Sequence, residues 1–221
     1  MTGPWTGTSS RGPGPPGTTG SDPPGAEAVV LAVRVLGGRA RGRKLKTVPG
    51  LGTRPPLVRV RQALFDILQG VTPGVMWLDL FAGTGSYGIE ALSRGAAGVV
   101  MVEQSPKAVA VIRHNLAVTG LGDRAVVICG DVLKEVPRLA RKGKRFGIIG
   151  VAPPYFRGLG PRVLSLIDET GILDAGGRVY VQRHRTEELP ERTRTLVLAR
   201  EYRYGNTVLS FYVPAADGED R

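Results

Sequence analysis

Short apolar runs alternate with amphipathic segments from about residue 75 to residue 182. Apolar runs of this length are typical of strands buried on both faces, and the segments between them have helical spacing. The predicted strands are residues 75–80, 99–103, 125–129, 146–151 and 178–182, and the predicted helices are residues 86–94, 106–119, 133–141 and 161–170. This alternation predicts a doubly wound, mainly parallel α/β sheet of the Rossmann-like type.

Hairpins are predicted on both sides of this alternating region. Residues 29–36 and 41–48 form two candidate strands around a turn at Gly37 and Gly38. A helix is predicted over residues 57–68, where apolar side chains recur at helical spacing. Near the C-terminus, residues 196–203 and 207–213 are joined by Tyr204-Gly205-Asn206, a turn suited to an antiparallel hairpin.

Composition divides the chain into three predicted regions. The first 25 residues contain thirteen Gly or Pro, so they have little apolar area to offset the entropy of ordering, and we expect a disordered tail. Residues 26–70 hold the basic hairpin and helix, and residues 71–221 hold the α/β domain.

The residue counts exclude several classes of protein. One Cys among 221 residues allows no internal disulfide, and with two His it supplies no four-ligand Cys/His zinc site, so we predict no metal. Cys129 lies in an apolar predicted strand and is expected to be a small core residue. We predict a cytoplasmic protein with no membrane partner, because no apolar run approaches the ~18 residues that span a bilayer.

The net charge of +11 points to a polyanionic partner, with nucleic acid the first candidate. Between Arg34 and Arg61 there are nine Lys or Arg and no Asp or Glu, and we call residues 34–61 the basic segment. Like charges at this density repel one another unless a polyanion relieves them, which favours phosphate binding over a solvated face. The candidate RNA-binding residues are Arg39, Arg41, Arg43, Lys44, Lys46, Arg54, Arg59 and Arg61.

A glycine-rich turn follows the first predicted strand of the α/β domain. Gly83, Gly85 and Gly88 match G-x-G-x-x-G, and Glu103 lies 20 residues after Gly83 at the end of the next strand. There a carboxylate can accept hydrogen bonds from two ribose hydroxyls. Taken alone, this pattern is equally compatible with a nicotinamide dinucleotide and with S-adenosylmethionine.

Two acidic residues favour S-adenosylmethionine. Asp79 comes four residues before Gly83, where it would attract the cationic methionine end of that cofactor and repel a pyrophosphate. Asp131 follows the third strand and could accept the adenine amino group, with Val132 packed near the ring. The alternative for Asp131 is an N-cap of the following helix.

The loop after the fourth strand carries Ala152-Pro153-Pro154-Tyr155. The two prolines stiffen the loop and leave carbonyls free to accept an exocyclic amino proton, while Tyr155 could stack on a flipped-out base. The alternative is a rigid turn with Tyr155 packed inside the protein.

Taken together, these motifs resemble the RsmD-type ribosomal RNA (guanine-N2)-methyltransferases over about residues 29–213. The resemblance rests on the segments at residues 34–38, 41–45, 52–55, 59–61, 78–85 and 203–207. It implies a seven-stranded methyltransferase sheet, S-adenosylmethionine as donor and a guanine exocyclic amine as acceptor. The family usually has Asp or Asn where Ala152 stands, and acidic residues where Val58 and Gln62 stand.

We therefore predict a monomeric methyltransferase that forms N2-methylguanine in 16S ribosomal RNA, as free RNA or in the small subunit. The expected cofactor-binding residues are Asp79, Phe81, Ala82, Gly83, Gly85, Glu103, Asp131 and Val132, and the expected catalytic residues are Ala152, Pro153, Pro154 and Tyr155. One alternative is an RNA-binding protein with a weakened methyltransferase site, for which Ala152 is the best argument. A nicotinamide oxidoreductase is the other.

Overall fold

The central feature of the computed structural model, which describes residues 33–47 and 58–215, is a seven-stranded sheet. The strands are β1 Val33–Arg34, β2 Lys44–Leu45, β3 Met76–Leu80, β4 Gly98–Glu103, β5 Ala125–Cys129, β6 Phe146–Val151, β7 Leu173–His184, β8 Leu196–Tyr204 and β9 Thr207–Pro214. The helices are α1 Val58–Ile67, α2 Ser86–Ser93, α3 Pro106–Thr119, α4 Val132–Arg141 and α5 Leu159–Thr170. The predicted tail of residues 1–25 and Arg54 lie outside the described residues.

Strand order in the sheet is β5-β4-β3-β6-β7-β9-β8. The pairs from β5 to β7 are parallel, whereas β9 is antiparallel to both of its neighbours. The chain winds outward from β3 to β5 and then returns to start β6 on the other side of β3. This confirms the predicted doubly wound fold and puts the reversal of strand order at β3, where ligands bind in such sheets.

The sheet buries both of its faces. Side chains alternate along β3, so that Trp77 packs in one core cluster while Leu78 and Leu80 pack in the other. The first cluster lies under α1, α2 and α3, and the second under α4 and α5. The apolar character of the predicted strands follows from this burial on two sides.

The N-terminal hairpin packs against the first core cluster. Val33, Val35 and Leu45 are buried in the same cluster as Trp77. β1 and β2 pair antiparallel, as predicted, although each has only two residues within the part of the chain described. Much of the predicted strand length is loop instead, because residues 35–43 turn back on themselves through hydrogen bonds such as Val35 N to Arg43 O.

The hairpin loop is attached to the C-terminal end of α2. Glu90 is fully buried, and its carboxylate accepts 2.7 Å hydrogen bonds from the backbone nitrogens of Leu36 and Gly37 as well as one from Arg94. A Cβ at Gly38, whose φ is +73°, would lie 1.9 Å from the carbonyl oxygen of Ser93. The glycine pair therefore permits close approach to a helix as well as a turn.

Two details differ from the sequence predictions. β7 begins at Leu173 and not at residue 178. The polar and Gly-rich stretch before Arg178 belongs to the strand, and the pairing with β6 is irregular there. Cys129 is exposed, so the prediction of a core position is wrong. It lies on β5, the edge strand of the sheet, where one side has no neighbouring strand. In the described ranges, no helix combines the length and apolar character needed to cross a membrane.

Candidate active site

The glycine-rich turn between β3 and α2 is held by Glu103 at the end of β4. Glu103 Oε2 accepts a 2.9 Å hydrogen bond from the backbone nitrogen of Gly83, and Oε1 accepts one of 2.8 Å from Ser105. Gly83 and Gly85 have φ of +57° and +75°, values that glycine adopts without strain. The 20-residue spacing noted in the sequence is therefore a direct contact between the turn and the carboxylate.

Phe81 and Ala82 complete the turn. Phe81 has a φ of +62°, which is uncommon for a residue with a side chain, and it packs against the second core cluster. The Ala82 nitrogen donates a 3.0 Å hydrogen bond to the carbonyl of Val102 on β4, and Ala82 is buried. Both residues shape the backbone of the turn.

Asp79 lies beneath the turn and is buried, with 1% of its surface exposed. Its Oδ2 atom accepts a 3.0 Å hydrogen bond from the Gly88 nitrogen on α2. A Cβ at Gly88 would lie 2.6 Å from the Met101 side chain and 3.2 Å from Asp79 Oδ2. Burial raises the pKa of Asp79 to about 7, the hydrogen bond from Gly88 opposes that rise, and the Glu103 charge adds to it.

Asn115 on α3 joins the turn to the basic hairpin. Its Nδ2 donates 3.0 Å hydrogen bonds to the carbonyls of Thr84 and Lys46, and its Oδ1 accepts one of 2.7 Å from the Lys46 nitrogen. Asn115 is fully buried. The role of Asn115 could not be predicted from the sequence, because a polar residue within an amphipathic helix carries no local sign of its partners.

Asp131 and Val132 follow β5 and begin α4. Asp131 is exposed and caps the helix, with Oδ1 accepting a 2.9 Å hydrogen bond from Leu133. The alternative interpretation of Asp131 as an N-cap is therefore confirmed, while its role toward adenine stays a prediction. Val132 is buried in the second core cluster, and its predicted contact with the adenine ring also stays a prediction.

The Pro-Pro-Tyr loop leaves the sheet at the end of β6, next to β3. The Ala152 nitrogen donates to the Leu80 carbonyl at 3.4 Å, Pro153 is buried and Pro154 is exposed. Tyr155 is partly buried, and its hydroxyl oxygen lies 3.2 Å from Thr207 Oγ1 and accepts a 3.2 Å hydrogen bond from Gln182 Nε2.

The hydroxyl of Tyr155 belongs to a chain of polar side chains that reaches α2. Tyr87, on that helix, donates a 2.6 Å hydrogen bond to the side-chain oxygen of Gln182. Tyr87 is buried, and that burial raises the pKa of its hydroxyl well above the usual range. The sequence carries no sign that Tyr87, Gln182 and Thr207 belong to the site, because they come from three distant parts of the chain.

A cluster of rings surrounds Tyr155. Phe156 and His184 have ring centroids 4.9 Å apart, and each lies about 6 Å from the Tyr155 ring, at 6.2 Å and 5.9 Å respectively. His184 ends β7, so the fold brings it beside the loop that follows β6. The sequence gives no sign of this contact, because Tyr155 and His184 are far apart in the chain.

The basic segment is largely exposed where the structure describes it. Six of the candidate RNA-binding side chains are exposed: Arg39, Arg41, Arg43, Lys44, Lys46 and Arg59. Arg61 differs, because it is 1% exposed and its guanidinium donates to the carbonyl of Arg34. The prediction that Arg61 contacts RNA is therefore wrong.

The position of Arg61 follows from the spacing of α1. It lies on the same stripe as the buried residues Leu64 and Phe65, three and four positions later. Burial lowers the pKa of Arg61, and the nearby Glu90 charge opposes that change. The helical spacing could have revealed this burial, which the charge pattern alone concealed.

Because β3 is paired with β4 on one side and with β6 on the other, its turn lies between Glu103 and the Pro-Pro-Tyr loop. The carboxyl ends of these parallel strands share one edge of the sheet. The turn therefore has the Glu103 carboxylate on one side and the Pro-Pro-Tyr loop on the other, with the buried Asp79 beneath it.

Comparison with known proteins agrees with these features. The family model described as "Conserved hypothetical protein 95" matches residues 33–213. The chain belongs to this family. Two relatives named as ribosomal RNA methyltransferases, described next, confirm the predicted resemblance to the RsmD-type methyltransferases.

Three relatives illustrate the similarity. The chain is 35% identical to "Ribosomal RNA small subunit methyltransferase D" of Escherichia coli strain K12 over 85% of this chain and 92% of that protein. It is 36% identical to "Putative rRNA methyltransferase YlbH" of Bacillus subtilis strain 168 over 81% and 98% respectively. A solved structure, "Putative methyltransferase yhhF" from Escherichia coli, superposes with a TM-score of 0.74 at 32% identity, covering 84% of this chain and 99% of that one.

Proposed function

We propose that this protein is an S-adenosylmethionine-dependent methyltransferase that forms N2-methylguanine in small-subunit ribosomal RNA. The observation that carries the proposal is the position of β3, whose glycine turn lies between Glu103 on β4 and the Pro-Pro-Tyr loop after β6. The relatives named as ribosomal RNA methyltransferases, which this chain matches over most of its length, support the same activity.

The residues of the turn fit S-adenosylmethionine better than a dinucleotide. Glu103 uses one lone pair on each oxygen for Gly83 and Ser105, and a carboxylate retains further acceptor capacity for ribose hydroxyls. Asp79 is a buried carboxyl whose Oδ2 accepts a hydrogen bond from the Gly88 nitrogen, and a cationic amino group nearby would stabilise its charged form. A pyrophosphate would face two carboxylates and be repelled.

When bound, S-adenosylmethionine supplies a methyl group on a positively charged sulfur. The protein's own task is then to extract the guanine base and hold its exocyclic nitrogen in line with that methyl group. We infer that the Ala152 and Pro153 carbonyls accept hydrogen bonds from the exocyclic amine and that the Tyr155 ring stacks on the base, while the proton that the nitrogen loses on methylation passes to solvent. The hydrogen bonds from Gln182 and toward Thr207 hold the Tyr155 hydroxyl, so this ring is positioned before substrate arrives.

The exposed cations of the basic segment would contact the RNA backbone. Asn115 links this hairpin to the glycine turn, so the RNA-binding surface and the cofactor site share one rigid support. We propose Arg39, Arg41, Arg43, Lys44, Lys46 and Arg59 for phosphate contacts, since their side chains are exposed.

Single-turnover transfer of labelled methyl from S-adenosylmethionine to small ribosomal subunits that lack the modification tests the proposal. Nucleoside mass spectrometry of the product identifies the methylated base. Tyr155→Ala should slow the transfer by about tenfold or more, since base stacking is worth ~1–3 kcal/mol. Product other than N2-methylguanine would overturn the assigned chemistry.

Ala152 favours one other candidate, an RNA-binding protein without turnover. An acceptor side chain that acts in the transition state is commonly worth ~2–4 kcal/mol, and Ala152 lacks it. We expect wild type to be active through main-chain carbonyls, with Ala152→Asp similar or faster. Activity in Ala152→Asp together with none in wild type would establish the binding-only alternative.

A further inference from the structure

Phe156 is an exposed aromatic residue directly after the Pro-Pro-Tyr motif. Its side chain is 66% exposed, although large apolar side chains are normally buried. Its φ of +60° lies in the left-handed region, and within the described residues only Phe81 shares this property among residues other than glycine. Such backbone conformations persist where surrounding contacts enforce them, and they concentrate at functional sites.

Glu187 supplies the contacts that enforce this conformation. One carboxylate oxygen accepts a 2.9 Å hydrogen bond from the Phe156 nitrogen, and the other accepts one of 3.0 Å from the His184 nitrogen. The Glu187 nitrogen also donates to the His184 carbonyl at 3.0 Å. A single carboxylate therefore fixes the backbone of both residues and keeps their rings 4.9 Å apart.

An exposed arginine follows each of the two aromatic residues in the chain. Arg157 follows Phe156 and Arg185 follows His184, and both side chains are exposed. Neither forms an ion pair with any residue of the described ranges. Exposed aromatic rings and nearby arginines are features with which proteins bind single-stranded nucleic acid, since every base has a π-face and every nucleotide a phosphate.

The surface also adjoins the proposed target pocket. The Phe156 ring lies 6.2 Å from Tyr155, at the end of β6, and His184 lies 5.9 Å from it, at the end of β7. A cleft of about 310 Å³ lined by Pro153, Phe156, Gln182 and Glu187 begins at the same place. A base next to the extracted guanine would therefore meet these rings.

We propose that Phe156 and His184 form a stacking surface for a nucleobase adjacent to the target guanine, with Glu187 as the residue that positions both rings. This inference rests on the proposed function, because it assigns the substrate contact of the same site. Arg157 and Arg185 would contact the phosphates on either side of that base.

Phe156→Gly tests the stacking surface without an expected cost in folding, because glycine adopts the observed φ without strain. We expect a single-stranded fragment of 16S ribosomal RNA that spans the nucleotide identified by the mass spectrometry to bind this variant about tenfold more weakly than wild type. The variant's thermal midpoint and its S-adenosylmethionine affinity by calorimetry should be unchanged. Phe156→Tyr keeps an aromatic ring and should bind RNA with the affinity of wild type. Glu187→Ala should weaken RNA binding by a factor similar to that of Phe156→Gly. Val126→Ala, an exposed apolar position on β5, is the matched control and should have no effect.

Steady-state kinetics provides a second readout. Phe156→Gly should raise KM for the RNA while leaving the single-turnover rate at saturating RNA nearly unchanged, since the ring acts on a neighbouring base. RNA affinity within twofold of wild type for Phe156→Gly would overturn the inference, as would weaker binding only to particles that contain ribosomal protein. If wild type transfers no methyl group, the proposed activity fails, and the RNA-binding comparison still decides the stacking surface separately.

Discussion

Glu103 and Gly83, which are 20 residues apart in the chain, are joined by a 2.9 Å hydrogen bond from the Gly83 nitrogen to the Glu103 carboxylate. The bond couples the end of β4 to the turn after β3. The carboxylate that is proposed to bind ribose is therefore also the group that orders the glycine turn.

Glu103 should be decisive for cofactor binding. Glu103→Ala removes two charged hydrogen bonds to ribose, together on the order of 2–4 kcal/mol, so calorimetry should show S-adenosylmethionine affinity falling at least ~10-fold. Glu103→Gln keeps the shape and one acceptor oxygen and should lose less. NAD(H) should bind weakly or not at all to wild type, and tight NADH binding without S-adenosylmethionine binding would contradict the cofactor assignment.

Asp79 predicts a dependence of stability on pH. Its pKa is raised to about 7 in the folded protein, so the folded state holds a proton that the unfolded state releases near pH 4. Stability from this group is therefore present below pH 4 and is lost as the pH rises through 7. Asp79→Asn carries no carboxyl to titrate, so its free energy of unfolding should not fall in this way. Relative to wild type, the variant should become more stable by roughly 2–4 kcal/mol as the pH rises from 4 to 8.

Chemical denaturation at both pH values measures the effect of Asp79. Asp66→Asn, at an exposed site on α1, is the control for loss of a carboxylate and should show no such gain. An equal stability difference between wild type and Asp79→Asn at the two pH values would contradict the prediction.

Arg41 and Arg61 should behave in opposite ways. Arg41→Ala should leave the free energy of unfolding within about 0.5 kcal/mol of wild type and reduce the log-log salt slope of single-stranded RNA binding by roughly 0.7. Arg61→Ala removes a buried cation near Glu90 and should cost about 2–4 kcal/mol of stability. Denaturation curves and salt titrations of RNA binding separate the two outcomes, and a stable Arg61→Ala variant with a reduced slope would argue against burial.

Asn115 should link the hairpin to the cofactor site. Asn115→Ala leaves the backbone groups of Lys46 and the carbonyl of Thr84 without their partner, which should cost about 2–4 kcal/mol of stability. Because the glycine turn loses a support, S-adenosylmethionine affinity should also fall by roughly threefold or more, measured at a temperature where the variant is folded. Thr119→Ala, whose hydroxyl bonds within α3, is the control and should leave cofactor affinity unchanged.

The sheet and the glycine turn could be predicted because their signals are local. The parallel strands β5 and β6 are both continuous apolar runs in the sequence, and both were predicted with the bounds observed. The doubly wound, mainly parallel sheet could be predicted from the alternation of strands and helices, because that alternation admits few topologies. Asp79 and Glu103 could be assigned to one site because parallel strands end at the same edge of the sheet.

Burial and partnership at individual positions could not be predicted from charge or apolar character alone. Cys129 lies in an apolar run and was predicted to be a core residue, but its side chain is exposed. The run itself does not show that β5 is an edge strand of the sheet, because only the strand order reveals that. Arg61 looked like part of an exposed basic surface and is buried, because α1 turns that position toward the core.

The amino-acid sequence by itself determined the fold class, the position of the glycine turn and the family of this protein, since periodicity and motif spacing are properties of the chain. Only the tertiary structure decided that Asn115 joins Lys46 to Thr84 and that Glu187 brings Phe156 and His184 together. Asn115 is 69 positions from Lys46 and 31 from Thr84 in the chain. Phe156 and Glu187 are 31 positions apart. A hydrogen bond depends on distance in space, and that distance is set by how strands and helices pack.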